Sequence, residues 1–226
     1  MDRATTPSVF LVDDDPGVLK ALSRVLRNEG WNVETFLSAE AFLARYDGTA
    51  LGCLVLDVTM PGLDGLELQR RLSEAGQTLP IVFVTGHGDI PMSVQAIKAG
   101  ATDFLTKPVQ AQTLVTAVRS AIEQETSARL ARTETGALRQ RLASLTPRER
   151  EVLAALAAGK LNKQIAADLG VVEQTVKFHR ARIMERMQAK TVAELMHIAA
   201  RVGITATSPV APPGATPNPA PKRPRV

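Results

Sequence analysis

IVFVTGHGDIPMSVQAIKAGATDFLTKP, residues 81–108, reads as strand, helix, strand. The run IVFVT (81–85) is unbroken, apolar and rich in β-branched residues. A helical pattern follows from Met92 to Ala99, and a second short run, DFLT (103–106), closes the unit. Continuous apolar strands joined through helices are covered on both faces, which is the condition of a parallel sheet. Outward from this stretch the pattern repeats. VFLV (9–12) and CLVLD (53–57) are further apolar runs, with a weaker WNVETF at 31–36. Between them lie helical patterns at Val18–Leu26, Ala39–Tyr46, Leu66–Leu72 and Leu114–Ile122.

Five strands in about 125 residues predict an α/β fold, a flavodoxin-like doubly wound parallel sheet of order 2-1-3-4-5. In such sheets a ligand binds at the carboxyl ends of the strands, beside the point where strand order reverses. From Gln124 to Leu145 the pattern is helical but mostly polar, interrupted at Gly136, with Leu130, Leu138, Leu142 and Leu145 as its main apolar points. It reads as an extension of the fifth helix followed by an interdomain linker. Residues 146–203 show several helical patterns and no convincing strand, so a small all-α domain follows. After Ile204 the sequence TATSPVAPPGATPNPAPKRPRV lacks the large apolar residues of a core and is expected to be an extended, mobile tail. The expected divisions are residues 1–124, 125–143, 144–204 and 205–226.

A hydrophobic fraction of 45% is that of a globular protein. The single cysteine, Cys53, excludes an intramolecular disulfide, and no Cys/His cluster has zinc-ligand spacing. Cys53 and the methionines sit in apolar runs and read as core filling. The start, MDRATTPSVFLV, lacks the form of a signal peptide, and no apolar run reaches the roughly 20 residues that span a bilayer. A cytoplasmic protein without membrane partners is expected. Charge is uneven: residues 1–124 carry 10 Lys/Arg against 15 Asp/Glu, and residues 125–226 carry 17 against 8. An acidic half joined to a basic half suggests two tasks, the second involving a polyanion.

Several strand ends carry reactive side chains. Asp13 and Asp14 follow the first strand, Asp57 ends the third, Thr85 ends the fourth and Lys107 follows the fifth. In a parallel sheet these ends open on one edge. Asp15 and Pro16 read as the N-cap and first residue of a helix. Asp13 and Asp14 then lie near Asp57, where carboxylates repel unless a cation intervenes, and such a cluster suits Mg²⁺. An Asp is a competent nucleophile toward phosphorus, and a Lys ammonium and a Thr hydroxyl can each hold a phosphoryl oxygen.

VFLVDDDPGV (9–18), DVTMPGLDG (57–65), VTGHG (84–88) and FLTKP (104–108) resemble the successive signatures of bacterial two-component receiver domains. The block from Thr85 to Pro108 is especially similar to FixJ-type regulators. The resemblance, over roughly residues 8–125, implies that Asp57 is the phosphoacceptor. It implies that Asp14, Asp57 and the backbone carbonyl of Thr59 ligate Mg²⁺, with Asp13 acting through water. It further implies that Lys107 contacts the phosphoryl group, that Thr85 turns toward it, and that Phe104 swings inward. The Lys107–Pro108 bond is expected to be cis. Thr59 and His87 match positions that tune dephosphorylation.

In the basic part, Thr146 and Glu149 form a capping box with Pro147 at the first helical position. Gly159 ends that helix. A second, Asn162–Leu169, stops at Gly170, and a third starts near Glu173. Two helices joined by a Gly-containing turn make a helix-turn-helix. Val176, Ile183 and Met187 set the core face of the third helix. The opposite side presents Gln174, Phe178 and Ala181, flanked by Lys177 and Arg182. A major groove offers thymine methyls to Phe178, and phosphates or guanine to Lys177. LTPREREVL (145–153), TVKFH (175–179) and HRARIMERMQAK (179–190) resemble the LuxR-type helix-turn-helix. That resemblance makes Gln174, Lys177, Phe178, Arg180, Ala181 and Arg182 the candidate DNA-contact region. A fourth helix over 193–202 is expected to help pair two copies on DNA.

The expected function is transcription regulation. A sensor histidine kinase phosphorylates Asp57, the chain forms a homodimer, and the dimer binds promoter DNA, with RNA polymerase as a further partner and activation the expected outcome. The chain is not expected to be an enzyme beyond self-catalysed phosphotransfer and slow autodephosphorylation. A haloacid-dehalogenase-type phosphatase also uses a strand-end Asp but needs an acid two residues on, where Thr59 stands. A dinucleotide-binding module is disfavoured by DDDPG in place of a Gly-rich turn. An output domain that contacts only protein is the remaining alternative. The terminal PKRPRV admits phosphate contact, a targeting signal, a partner motif or a solubilising end, and the last is preferred.

Overall fold

The computed structural model describes residues 6–86 and 90–204. His87 and the tail from residue 205 lie outside the described residues. The chain divides into two compact units, one ending at Leu130 and one beginning at Ala131.

The first unit alternates strand and helix. β1 (Ser8–Val12), α1 (Pro16–Asn28), β2 (Asn32–Phe36), α2 (Ala39–Arg45) and β3 (Gly52–Leu56) are followed by α3 (Gly65–Glu74), β4 (Ile81–Thr85), α4 (Ile90–Lys98), β5 (Asp103–Thr106) and α5 (Ala111–Ala143). The five strands form one parallel sheet of order β2-β1-β3-β4-β5. Side chains alternate across a pleated strand, so each strand supplies two cores. Phe10, Leu54, Leu56, Ile81 and Phe83 face α2, α3 and α4 through Phe42, Leu68, Leu72 and Ala96. Val9, Leu11, Cys53, Val55, Val82 and Val84 face α1 and α5 through Leu19, Leu26, Leu114, Val118 and Ala121. The apolar character of β1, β3 and β4 follows directly from this double covering.

α1 begins where its sequence requires. The Asp15 carboxylate accepts hydrogen bonds from the N–H groups of Gly17 and Val18, and Pro16 occupies the first turn. α5 differs from the sequence reading. Gly136 does not interrupt it, and helix continues from Ala111 to Ala143. A glycine costs an exposed helix about 1 kcal/mol relative to alanine, and its neighbours Ala137, Leu138, Arg139 and Gln140 are all strong helix formers. The far end of α5 is also not a bare connector: Leu138 and Leu142 pack in the core of the second unit.

The second unit adds α6 (Pro147–Ala157), α7 (Asn162–Leu169), α8 (Glu173–Met187) and α9 (Val192–Arg201). Its core joins Val152, Leu153, Ile165, Val176, Ile183, Met187, Leu195 and Ile198. The Thr146–Glu149 capping box is formed in both directions: the Glu149 N–H donates to the Thr146 hydroxyl at 3.2 Å, and the Thr146 N–H donates to the Glu149 carboxylate at 2.8 Å. α7 closes at Gly170, whose φ of 64° lies in the left-handed region that glycine adopts without strain. The turn to α8 follows at once. No helix among the described residues is long and apolar enough to cross a membrane.

Candidate functional site

Strand order reverses between β1 and β3, and a cluster of charged side chains forms there. Three residues just beyond strands β1, β3 and β5 are each held by one further ladder hydrogen bond. The Asp13 N–H donates to Phe36 O at 3.2 Å, that of Asp57 to Val12 O at 2.9 Å, and that of Lys107 to Thr85 O at 2.8 Å. Sheet regularity therefore carries these three side chains to one edge.

At that edge the Lys107 ammonium donates to Asp13 Oδ2 at 2.6 Å and to Asp57 Oδ2 at 2.9 Å. Asp13 and Asp57 are buried, and the Lys107 side chain is 22% exposed. Asp13 Oδ1 also accepts the Asp15 N–H at 3.0 Å. Burial pushes the Asp13 carboxyl above its ordinary range, and the Lys107 hydrogen bond only partly offsets this. Burial also acts against the Lys107 ammonium, but its bonds to Asp13 and Asp57 prevail and raise its pKa. Asp14, which is exposed, completes the group: carboxylate oxygens of Asp13, Asp14 and Asp57 lie within 4.8 Å of one another. Three carboxylates and one ammonium leave two negative charges to be balanced. An all-oxygen set of that charge fits a hard divalent cation.

The other residues singled out in the sequence occupy related places. Thr85 is fully buried at the end of β4, in register with Thr106. Phe104, one residue into β5, is partly buried, with its ring 5.9 Å from that of Phe83. Thr59 is exposed, and its N–H donates to Asp57 Oδ1 at 3.4 Å. The Lys107–Pro108 peptide is cis.

Two supports of the site were not anticipated from the sequence. A Cβ on Gly65 would lie 2.2 Å from the Asp57 carbonyl oxygen, so the start of α3 approaches the end of β3 as closely as only glycine allows. Across the loop, Glu40 of α2 accepts the Leu63 N–H at 3.0 Å and tethers the segment that follows Asp57. The DVTMPGLDG pattern held the first signal; nothing near Glu40 pointed to the second.

In the second unit α8 buries Val176, Ile183 and Met187 and leaves Gln174, Lys177, Phe178, Ala181 and Arg182 exposed. Arg180 behaves differently. It is half-buried and donates to Asn162 Oδ1 at 2.8 Å, which ties α8 to the start of α7. Lys177 lies 3.5 Å from Glu173 one turn back.

The response regulator receiver domain matches residues 9–119, and the bacterial regulatory proteins of the luxR family match residues 143–199. The chain is 44% identical over 201 residues to the response regulator protein TodT of Pseudomonas putida, which covers 89% of this chain and 88% of that one. It is 40% identical to the transcriptional regulatory protein FixJ of Bradyrhizobium diazoefficiens, over 88% of this chain and 98% of that one. The solved structure of the response regulator StyR superposes with a TM-score of 0.80 at 45% identity, covering 87% of this chain and all of that one.

Proposed function

Since the chain belongs to the response-regulator family and is a two-component transcription regulator with a receiver domain and a LuxR-type DNA-binding domain, we propose that Asp57 is the residue that receives the signal. A carboxylate oxygen of Asp57 attacks the phosphorus of a phosphohistidine on a sensor histidine kinase. The phosphorus–nitrogen bond breaks, an acyl phosphate forms, and the histidine ring leaves with its electron pair. The observation that carries this reading is the buried pair Asp13 and Asp57 sharing the Lys107 ammonium beside Asp14.

Asp14, Asp57 and the Thr59 carbonyl would hold Mg²⁺, with Asp13 acting through water. Bound there, the ion offsets the charge that builds on the transferring group. Lys107 is free to leave Asp57 for a phosphoryl oxygen, since its ammonium has three donors. Thr85 donates its hydroxyl to another oxygen, and Phe104 moves inward into the space so vacated. The added charge shifts the receiver between two populations and alters the face formed by α4, β5 and α5. Dimerisation through that face sets two copies of α8 on a pseudo-palindromic site, one helical turn apart. Gln174, Lys177, Phe178, Arg180, Ala181 and Arg182 form the contact region, and α9 helps pair the copies. The protein works in the cytoplasm, and bound near RNA polymerase it activates transcription.

Footprinting on genomic DNA with and without a small-molecule phosphodonor and Mg²⁺ tests the reading. Protected sites that appear with phosphodonor, and weaken steeply as salt rises, are expected of a regulator that meets DNA phosphates. Protection that is absent in both states contradicts it and favours an output that contacts only protein. Repeated turnover of generic phosphomonoesters would point to a phosphatase instead.

A further inference from the structure

The outer face of α8 carries a feature that phosphate contact does not require. Phe178 is 58% exposed, the one exposed Phe, Trp or Tyr among the described residues. The aromatic side chains of the first unit pack into its cores, and no Phe, Trp or Tyr other than Phe178 follows Phe104 in the sequence. Phe178 is not displaced core. Val176, Ile183 and Met187 of the same helix are fully buried and complete the apolar stripe without it. The guanidinium of Arg182, one turn on, lies 5.6 Å from the centre of the Phe178 ring, within cation–π range. The Arg182 NH1 also reaches Glu185 at 3.3 Å, so the planar fork is held from two sides.

We infer that Phe178 and Arg182 act as one specificity-determining pair, the ring covering the 5-methyl group of a thymine and the guanidinium meeting the guanine next to it. The inference rests on the DNA-binding reading of α8 and adds to it the base step being read. The chemistry of the major groove supports the assignment. The thymine methyl is the apolar feature exposed there, and a guanidinium fork matches the O6 and N7 acceptors of guanine. Distance makes the two contacts neighbours. Successive bases rise about 3.4 Å per step, so groups 5.6 Å apart reach the same base pair or the adjoining one. Lysine in place of Arg182 would supply charge without the fork or the stacking surface.

The test uses the full chain with phosphodonor and Mg²⁺, a duplex site selected from random DNA, and replacement of each thymine in turn by uracil, which removes the methyl alone. One thymine per half-site is expected to respond, with parent affinity falling roughly three- to five-fold when its methyl is lost, the effect of uncovering about one methyl group. Phe178→Ala should bind the thymine and uracil sites equally. Phe178→Leu should recover part of the preference. Arg182→Lys should lose discrimination for the neighbouring guanine. Because Phe178 is exposed and meets a base, Phe178→Ala should keep parental helix content and the parental salt slope. Uracil at every thymine without effect on the parent overturns the inference, and that arm needs no variant to fold. So does a methyl preference that survives in Phe178→Ala. Failure to enrich any site from random DNA is a separate result, and it overturns the DNA-binding reading together with this one.

Discussion

The Lys107 ammonium lies 2.9 Å from Asp57 Oδ2, a contact between residues fifty positions apart in sequence. The same ammonium reaches Asp13 at 2.6 Å, so two buried carboxylates share one cation. In this arrangement Asp57 is buried and paired, while the side chain of its partner Lys107 stays 22% exposed. A phosphoryl group on Asp57 brings new oxygens for Lys107 to hold, which links the chemical event to a movement of that side chain.

Lys107→Gln should therefore do two things. Asp13 and Asp57 lose their shared counter-charge, and the first unit should lose roughly 1–3 kcal/mol of stability. Mg²⁺ should restore more stability to the variant than to the parent, because a cation then replaces the missing charge. Urea denaturation followed through Trp31, the single tryptophan, partly buried against the first unit's core, reads this without interference from the second unit.

Gly65→Ala places a methyl group 2.2 Å from the Asp57 carbonyl oxygen, which backbone cannot accommodate without moving. The expected outcome is a loss of about 1–3 kcal/mol and slower labelling by phosphodonor. Mass spectrometry of the labelled fraction over time measures the rate. An unchanged rate would show that the loop tolerates the shift.

Glu149 makes the second unit sensitive to acid. Burial acts to raise its carboxyl, but donation from the Thr146 N–H and hydroxyl, with Arg186 and His179 nearby, outweighs this and holds it below its ordinary value of 4.5. A depressed carboxyl stabilises the fold above the unfolded-state value and loses that contribution as pH falls through the folded one. The parent should thus weaken below about pH 4.5. Glu149→Gln keeps the capping geometry and should flatten that part of the profile. Thr146→Ala removes the cap and should cost about 1 kcal/mol at neutral pH. Far-UV circular dichroism across pH distinguishes the two.

The Cys53 thiol is buried in the sheet, and burial pushes its pKa up to about 12. At pH 8 only about one thiol in ten thousand is ionised, and the thiolate is the reactive form. Iodoacetamide should leave the folded protein unmodified and label it fully in denaturant.

The central strands were legible because their environment is uniform. IVFVT at 81–85 is buried throughout and has the boundaries expected of it, and DFLT at 103–106, partly buried at the sheet edge, keeps its expected boundaries as well. Helix ends were legible where a cap marks them, at Asp15 and Thr146. The full length of α5 was not, because its second half is polar and contains Gly136, and its anchoring by Leu138 and Leu142 is a tertiary effect. At the site, sequence order alone brought Asp13, Asp14, Asp57 and Lys107 to one edge. It did not reveal that Lys107 bridges two of them, nor that Glu40 holds the Leu63 N–H, since both contacts depend on side-chain reach across elements. On α8, helical phase gave the exposed face, while the bond from Arg180 to Asn162 depends on how α7 packs.

Sedimentation velocity of the parent and Asp57→Asn, each with phosphodonor and Mg²⁺, tests the proposed switch most directly. The parent should move from monomer toward dimer, and the variant should stay where it began with its fold intact. Equal dimerisation of both would contradict the assignment of Asp57 as the residue through which phosphorylation acts.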